Sequence, residues 1–132
     1  MSKLRIACIQ TNSSPNPEEN IAIVSVLIRE ACAAGAEFIT TPEVVGMLEP
    51  DRIAALSKAQ SEEKHQVLSA FQELALELGI WLLIGSISIK VSDTKLSNRS
   101  FLINPNGEVI ARYSKIHMFD VKLKNGENYN ES

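Results

Sequence analysis

Histidine and cysteine are scarce in this sequence, and each scarcity removes a class of function. The two histidines, His65 and His117, are too few and too far apart to build a metal cluster. The two cysteines, Cys8 and Cys32, sit in apolar surroundings without CxxC spacing, which argues against a disulfide framework and a zinc site alike. They read as small core residues. Positive charge is also in short supply: 13 Lys and Arg against 16 Asp and Glu give a net charge of −3, and the basic residues are scattered, so nucleic acid is not an expected partner. No GxGxxG or GxxxxGKS/T loop follows any predicted strand, which sets aside a nucleotide-binding domain. The apolar run at residues 4–10 gives way at once to Thr11-Asn-Ser-Ser14, too soon for a signal-peptide core or a membrane span. The expectation is a cytoplasmic protein with no membrane partner.

What is present is enough to fold. With 132 residues, 45% hydrophobic and 22% charged, the chain suits one globular domain with a real core. Residues 4–10 carry alternating isoleucines and end at polar residues, as a buried strand does. Asn16-Pro17-Glu18-Glu19 reads as a helix start, with Asn as cap, Pro in the first turn and Glu19 where a capping box places its carboxylate. Ile21, Val24, Ile28 and Cys32 follow at helical spacing, and Gly35 closes the helix. Residues 37–41 form a second strand that stops at Pro42. A short helix is expected over 49–59. A longer one opens at Ser61-Glu62-Glu63, carries the stripe Val67, Leu68, Phe71, Leu74, Ala75 and Leu78, and ends at Gly79.

Residues 80–89 are too apolar for a surface helix and read as a central strand, with Gly85 marking close backbone approach. Residues 92–97 look like a polar loop. Residues 98–104 and 108–113 flank Pro105-Asn106-Gly107, a hairpin signal. From Ser114 onward the pattern is irregular and polar. The order β-α-β-α-α-β-β-β describes a parallel start feeding an antiparallel hairpin, hence an α/β or layered α+β sheet of mixed direction.

Two positions could carry chemistry. Glu43 follows Thr-Thr-Pro at the end of a strand, where open α/β sheets gather ligand-binding groups, although a solvated loop glutamate fits the position as well. Lys115 lies just beyond the hairpin in Arg112-Tyr-Ser-Lys-Ile-His-Met-Phe-Asp120, either as a functional cation or as a solubilising charge. Taken by themselves, these residues specify a soluble α/β domain and no more.

Four segments, in order, carry a resemblance: Thr41-Pro42-Glu43, Asn98-Arg99-Ser-Phe-Leu-Ile-Asn-Pro-Asn-Gly107, Tyr113-Ser-Lys115-Ile-His-Met-Phe-Asp120 and Tyr129-Asn-Glu131-Ser132. Together with Arg5-Ile-Ala-Cys-Ile-Gln10 and Pro17-Glu-Glu-Asn20, they resemble the N-terminal half of nitrilase-superfamily carbon-nitrogen hydrolases, from Leu4 to Ser132. The resemblance implies a four-layer αββα sandwich, of which this chain would supply the first half. It implies hydrolysis of small amides, nitriles or carbamoyl compounds by a Glu-Lys-Cys triad, in an oligomer of like subunits that uses no cofactor or metal.

Glu43 matches the glutamate that acts as general base, Lys115 the lysine that stabilises the oxyanion, and Glu131 a second, positioning glutamate. The family's nucleophilic cysteine lies beyond this second glutamate, so residues 1–132 are expected to be a carbon-nitrogen hydrolase domain incomplete at its C-terminus and inactive alone. Met118 stands where leucine is common, a volume-conserving change. His117 is expected to pack or hydrogen-bond beside Lys115, and Ser86 has no assigned catalytic role. The competing expectation is a noncatalytic, truncated binding or interaction module of the same fold. Half of a two-sheet sandwich would expose a sheet face and favour association.

Overall fold

The computed structural model describes residues 3–124, 126 and 128–131. Ser132, the last residue of the Tyr129-Asn-Glu-Ser run, lies outside the described residues. Strands β1 (Ile6–Cys8), β2 (Phe38–Thr40), β3 (Trp81–Ser92), β4 (Lys95–Ile103) and β5 (Val109–Ser114) form one sheet in that spatial order. The first three run parallel, β4 is antiparallel to β3 and β5 antiparallel to β4, giving the mixed sheet expected. Helices α1 (Pro17–Ala33) and α3 (Gln66–Leu78) make the two crossovers, with the shorter α2 (Arg52–Lys58) before α3. Strands β6 (Asp120–Lys122) and β7 (Asn128–Asn130) form a separate two-stranded ribbon.

The alternation of side chains across each strand decides which face is covered. Ala7, Ile39, Leu82, Ile103 and Val109 stand in one row across the five strands, and α1 and α3 close over that face with Val24, Ile28, Val67, Phe71 and Leu74. The opposite face is open: Ile6, Phe38 and Trp81 lie in one row, and Cys8, Thr40, Leu83, Leu102 and Ala111 in the next. Ile6 is 57% exposed and Trp81 36%. β1 is therefore an exposed edge strand rather than the buried strand its isoleucines suggest. Cys8 is likewise exposed and not a core residue, whereas Cys32 packs against the core from α1. Among the described residues no helix is long and apolar enough to cross a membrane.

Local chemistry explains the helix ends. Asn16 Oδ1 accepts from the Glu18 and Glu19 N–H groups, as expected of a cap. The Glu19 carboxylate does not reach back to the Asn16 N–H directly; the Ser14 hydroxyl takes that N–H and donates to Glu19 at 2.6 Å. The long helix expected from Ser61 is divided. Glu62–Lys64 is a 3-10 turn, and His65 caps a new helix by accepting the Leu68 N–H at Nδ1 while Nε2 meets the Ser88 carbonyl at 3.1 Å. These two contacts assign the neutral tautomer protonated at Nε2. Burial holds the imidazole pKa below its usual value, opposed by the Ser88 carbonyl.

Two other expectations give way. Residues 92–97 are not a loop: β3 runs to Ser92 and β4 begins at Lys95, so only Asp93 and Thr94 turn the ribbon. Residues 92–95 are exposed at this end of the ribbon, so they are polar without being irregular. The segment after Ser114 also contains order, the β6–β7 ribbon, held by main-chain pairing that leaves little apolar trace in the sequence.

Candidate functional site

Glu43 is placed by a backbone ridge pressed onto β3. The Thr41 N–H donates to the Leu83 carbonyl, continuing the β2–β3 ladder one residue further, and the Gly85 N–H donates to Thr41 Oγ1. A Cβ on Gly85 would stand 2.3 Å from the Thr41 carbonyl oxygen, so only glycine lets the ridge lie this close. Ser86 then holds the far side: its N–H donates to the Pro42 carbonyl, its hydroxyl accepts the Val44 N–H at 2.9 Å and its carbonyl accepts the Val45 N–H. Val44 has φ 55, a left-handed conformation that a β-branched residue rarely adopts. Its cost, on the order of 1–3 kcal/mol, is held against the Ser86 contacts immediately after Glu43. Buried Asn20 anchors the next turn, donating from Nδ2 to the Gly46 carbonyl at 2.9 Å.

Lys115 follows β5 directly, and its main-chain N–H donates to the Asn98 carbonyl at 2.8 Å, one step past the Arg99–Ser114 pair. Glu131 is returned to the same place by the β6–β7 ribbon. Its N–H donates to the Phe119 carbonyl and to Asp120 Oδ1, while the Phe119 N–H donates to Glu131 Oε2 at 2.7 Å. On the covered face, Arg99 and Arg112 both grip Glu62 and so fix β4 and β5 against the turn before α3. Those arginines hold the Glu62 carboxyl below its usual range, outweighing the burial that raises it.

The three residues expected to form the site meet. Lys115 Nζ lies 2.8 Å from Glu43 Oε1, and 3.1 and 2.9 Å from the two Glu131 oxygens. Hydrogen bonds from the ammonium to Glu131, then to Glu43, raise the lysine to about 12, so it is a cation throughout the physiological range. Burial pushes the Glu131 carboxyl up, but hydrogen bonds from Asn98, Lys115 and the Phe119 N–H outweigh it and hold the group below its usual value. Two carboxylates and one ammonium leave this cluster one negative charge. It is an arrangement able to accept a proton on a carboxylate while presenting a fixed cation alongside. Beside Asn98 and Glu131 opens a groove of about 560 Å³, lined also by Val44, Met47, Leu96 and Met118.

Reading the sequence alone missed the residues that join these groups. Asn98 Nδ2 donates to Glu43 Oε1 at 2.8 Å and to Glu131 Oε1 at 2.9 Å. Counting outward from the Pro105-Asn-Gly107 turn would have put Asn98 opposite the Lys115 region, which is the signal that was there to be used. Ser86 touches the Glu43 loop rather than the cluster. His117 is exposed and makes none of the cluster's hydrogen bonds, and neither thiol makes one.

Comparison with known proteins bears on the same residues. The family model described as carbon-nitrogen hydrolase matches residues 5–132. The probable hydrolase nit2 of Schizosaccharomyces pombe is 35% identical over 127 residues, covering 96% of this chain and 46% of the relative. Deaminated glutathione amidase of Mus musculus is 32% identical over 124 residues, covering 89% and 38%. The crystal structure of the C. elegans NitFhit protein superposes with a TM-score of 0.83 at 23% identity, over 96% of this chain and 31% of that one. The chain thus spans less than half the length of each of these proteins.

Proposed function

The chain belongs to the carbon-nitrogen hydrolase family and has the fold of an N-terminal portion of nitrilase-type proteins, and from that premise we propose that it carries the base and the oxyanion-binding cation of an amidase. The observation that carries this reading is the Glu43–Lys115–Glu131 cluster, in which a lysine held at about 12 is clamped by two carboxylates beside a groove.

An amide carbonyl is a weak electrophile, so hydrolysis at neutral pH needs a strong nucleophile and a place for the charge that develops. In the proposed reaction Glu43 takes the proton of an attacking cysteine thiol. The sulfur bonds to the carbonyl carbon, and the pair of electrons displaced to oxygen is met by a Lys115 N–H. Collapse of that adduct expels the amine, which receives the proton from Glu43 and leaves a thioester for water to cleave. A permanent ammonium suits the oxyanion role because it stabilises the charge of the transition state more than the neutral amide. Glu131 keeps the ammonium in place and takes no part in proton transfer.

Cys8, in β1, and Cys32, on α1, have no hydrogen bond to Glu43 or Lys115 among the described residues, and neither is the attacking cysteine of the proposed reaction. The chain 1–132 by itself is therefore inactive on amides. Deaminated glutathione amidase among the relatives makes small amides the first substrates to try.

The test is a chimaera of the mouse relative in which the matching part of this chain replaces its counterpart there, assayed with deaminated glutathione. Turnover by the chimaera and none by the chain alone is the expected result. A folded chimaera without turnover, or an isolated chain that releases ammonia from amides, overturns the reading.

A further inference from the structure

Resting on the roles just given to Glu43 and Lys115, we propose that Asn98 is a further positioning residue of this site, one that aims its two amide N–H groups at the two glutamates and leaves Glu43 Oε2 as the oxygen that takes the proton. Asn98 stands on β4, across from Ser88 of β3, on the open face of the sheet. It touches every charged member of the cluster: its carbonyl accepts the Lys115 main-chain N–H, and its Nδ2 donates to Glu43 and to Glu131. An amide nitrogen has two hydrogens, and each goes to a different carboxylate. The orientation of the amide follows, because the flipped form would set Oδ1 against two anions.

The other end of the same side chain sharpens the case. Among the described residues, Asn98 Oδ1 is buried and has no hydrogen-bond partner. A buried acceptor left unpaired is unfavourable, so the value of this side chain lies in its nitrogen. The consequence falls on Glu43. Both of its donors, Lys115 Nζ at 2.8 Å and Asn98 Nδ2 at 2.8 Å, converge on Oε1, and among the described residues none is on Oε2. Two donors on one oxygen occupy Oε1 and fix the plane of the carboxylate, so Oε2 is the oxygen left open, without a donor among the described residues. Glu131 is tied to the same nitrogen, and the two carboxylates therefore keep a fixed separation with the ammonium between them.

The experiment is side-chain NMR on the full chain, which reads this geometry without needing turnover. The two Asn98 amide protons are expected to be separately shifted and slow to exchange; Glu43→Gln moves one of them and Glu131→Gln the other. In Asn98→Ala the Glu131 titration midpoint moves upward, because a donor to its charged form is lost. Asn98→Asp keeps the side-chain shape should the alanine variant not fold, and raises that midpoint through like charge. Amide protons that exchange freely or respond together to both glutamine substitutions, or a Glu131 titration unchanged in a folded Asn98 variant, overturn the proposal. An inactive chimaera alongside the expected spectra would refute the amidase reading and leave the Asn98 geometry standing.

Discussion

Replacing Lys115 by Met keeps the length and apolar stem of the side chain and removes the cation that pairs with both Glu43 and Glu131. The shift of Lys115 from 10.5 to about 12 corresponds to about 2 kcal/mol. Its side chain is 30% exposed, and solvent screening reduces the contribution to about 1 kcal/mol. The sign follows from linkage: a cation whose folded value is raised contributes fully below its ordinary value and loses that contribution as pH rises through about 12. Glu131 acts oppositely, stabilising above the usual carboxylate range and losing its effect as pH falls through its lowered value. Lys115→Met should therefore destabilise the chain by about 1–2 kcal/mol at pH 7, where an unpaired carboxylate remains, and by less once acid protonates Glu131. Urea unfolding of both proteins at pH 7 and in acid measures this. Equal stabilities at pH 7, or a difference that grows in acid, would refute the reasoning.

Other outcomes follow from the same contacts. His65 has a lowered folded value, so the unfolded chain binds the proton first; stability should fall as pH drops through 6.5, with a slope of up to about 1.4 kcal/mol per unit, and His65→Gln should flatten that step in thermal melts. Gly85→Ala forces a Cβ against the Thr41 carbonyl and should destabilise by about 3 kcal/mol while loosening the Glu43 ridge, visible as lost protection of the Val44 and Val45 amides. Val44→Gly relieves the positive φ, and the gain should match or exceed the roughly 0.5–1 kcal/mol entropic cost of glycine, so the urea midpoint should hold or rise. The open row of Ile6, Phe38 and Trp81 should drive concentration-dependent association in sedimentation, weakened by Trp81→Lys; a monomer at all concentrations would contradict this.

The helices were legible because their signals are local. Asn16 and Pro17 sit at a helix start, the stripe from Val67 to Ala75 faces the core, and Gly79 takes the left-handed cap. Gly85 was legible for a similar reason, since a glycine inside an apolar strand marks close approach, and here the ridge bearing Glu43 lies against it. Burial of β1 was not legible, because alternating isoleucines look alike on a covered strand and on an edge that leaves Ile6 open. The His65 cap was hidden by the Ser61-Glu-Glu run, a good helix start in its own right.

At the site, resemblance marked Glu43, Lys115 and Glu131, and the fold brings them within hydrogen-bond distance. Asn98 was not assigned because its role depends on long-range register: it reaches Glu43, 55 residues away, and Glu131, 33 residues away. Ser86 was given no catalytic role, and its hold on the Glu43 loop was not legible for the same reason, since its partners Pro42, Val44 and Val45 lie more than forty residues away.

The most direct test of the account is the turnover of Lys115→Met and Glu43→Gln in the chimaera, with melting curves recorded beside it. Loss of the oxyanion donor should lower kcat by about 10²–10³, and loss of the base by about 10²–10⁴, in proteins that still unfold cooperatively. A chimaera whose turnover survives either substitution would show that the Glu43–Lys115 pair is an ion pair of the fold and not the chemistry of an amidase.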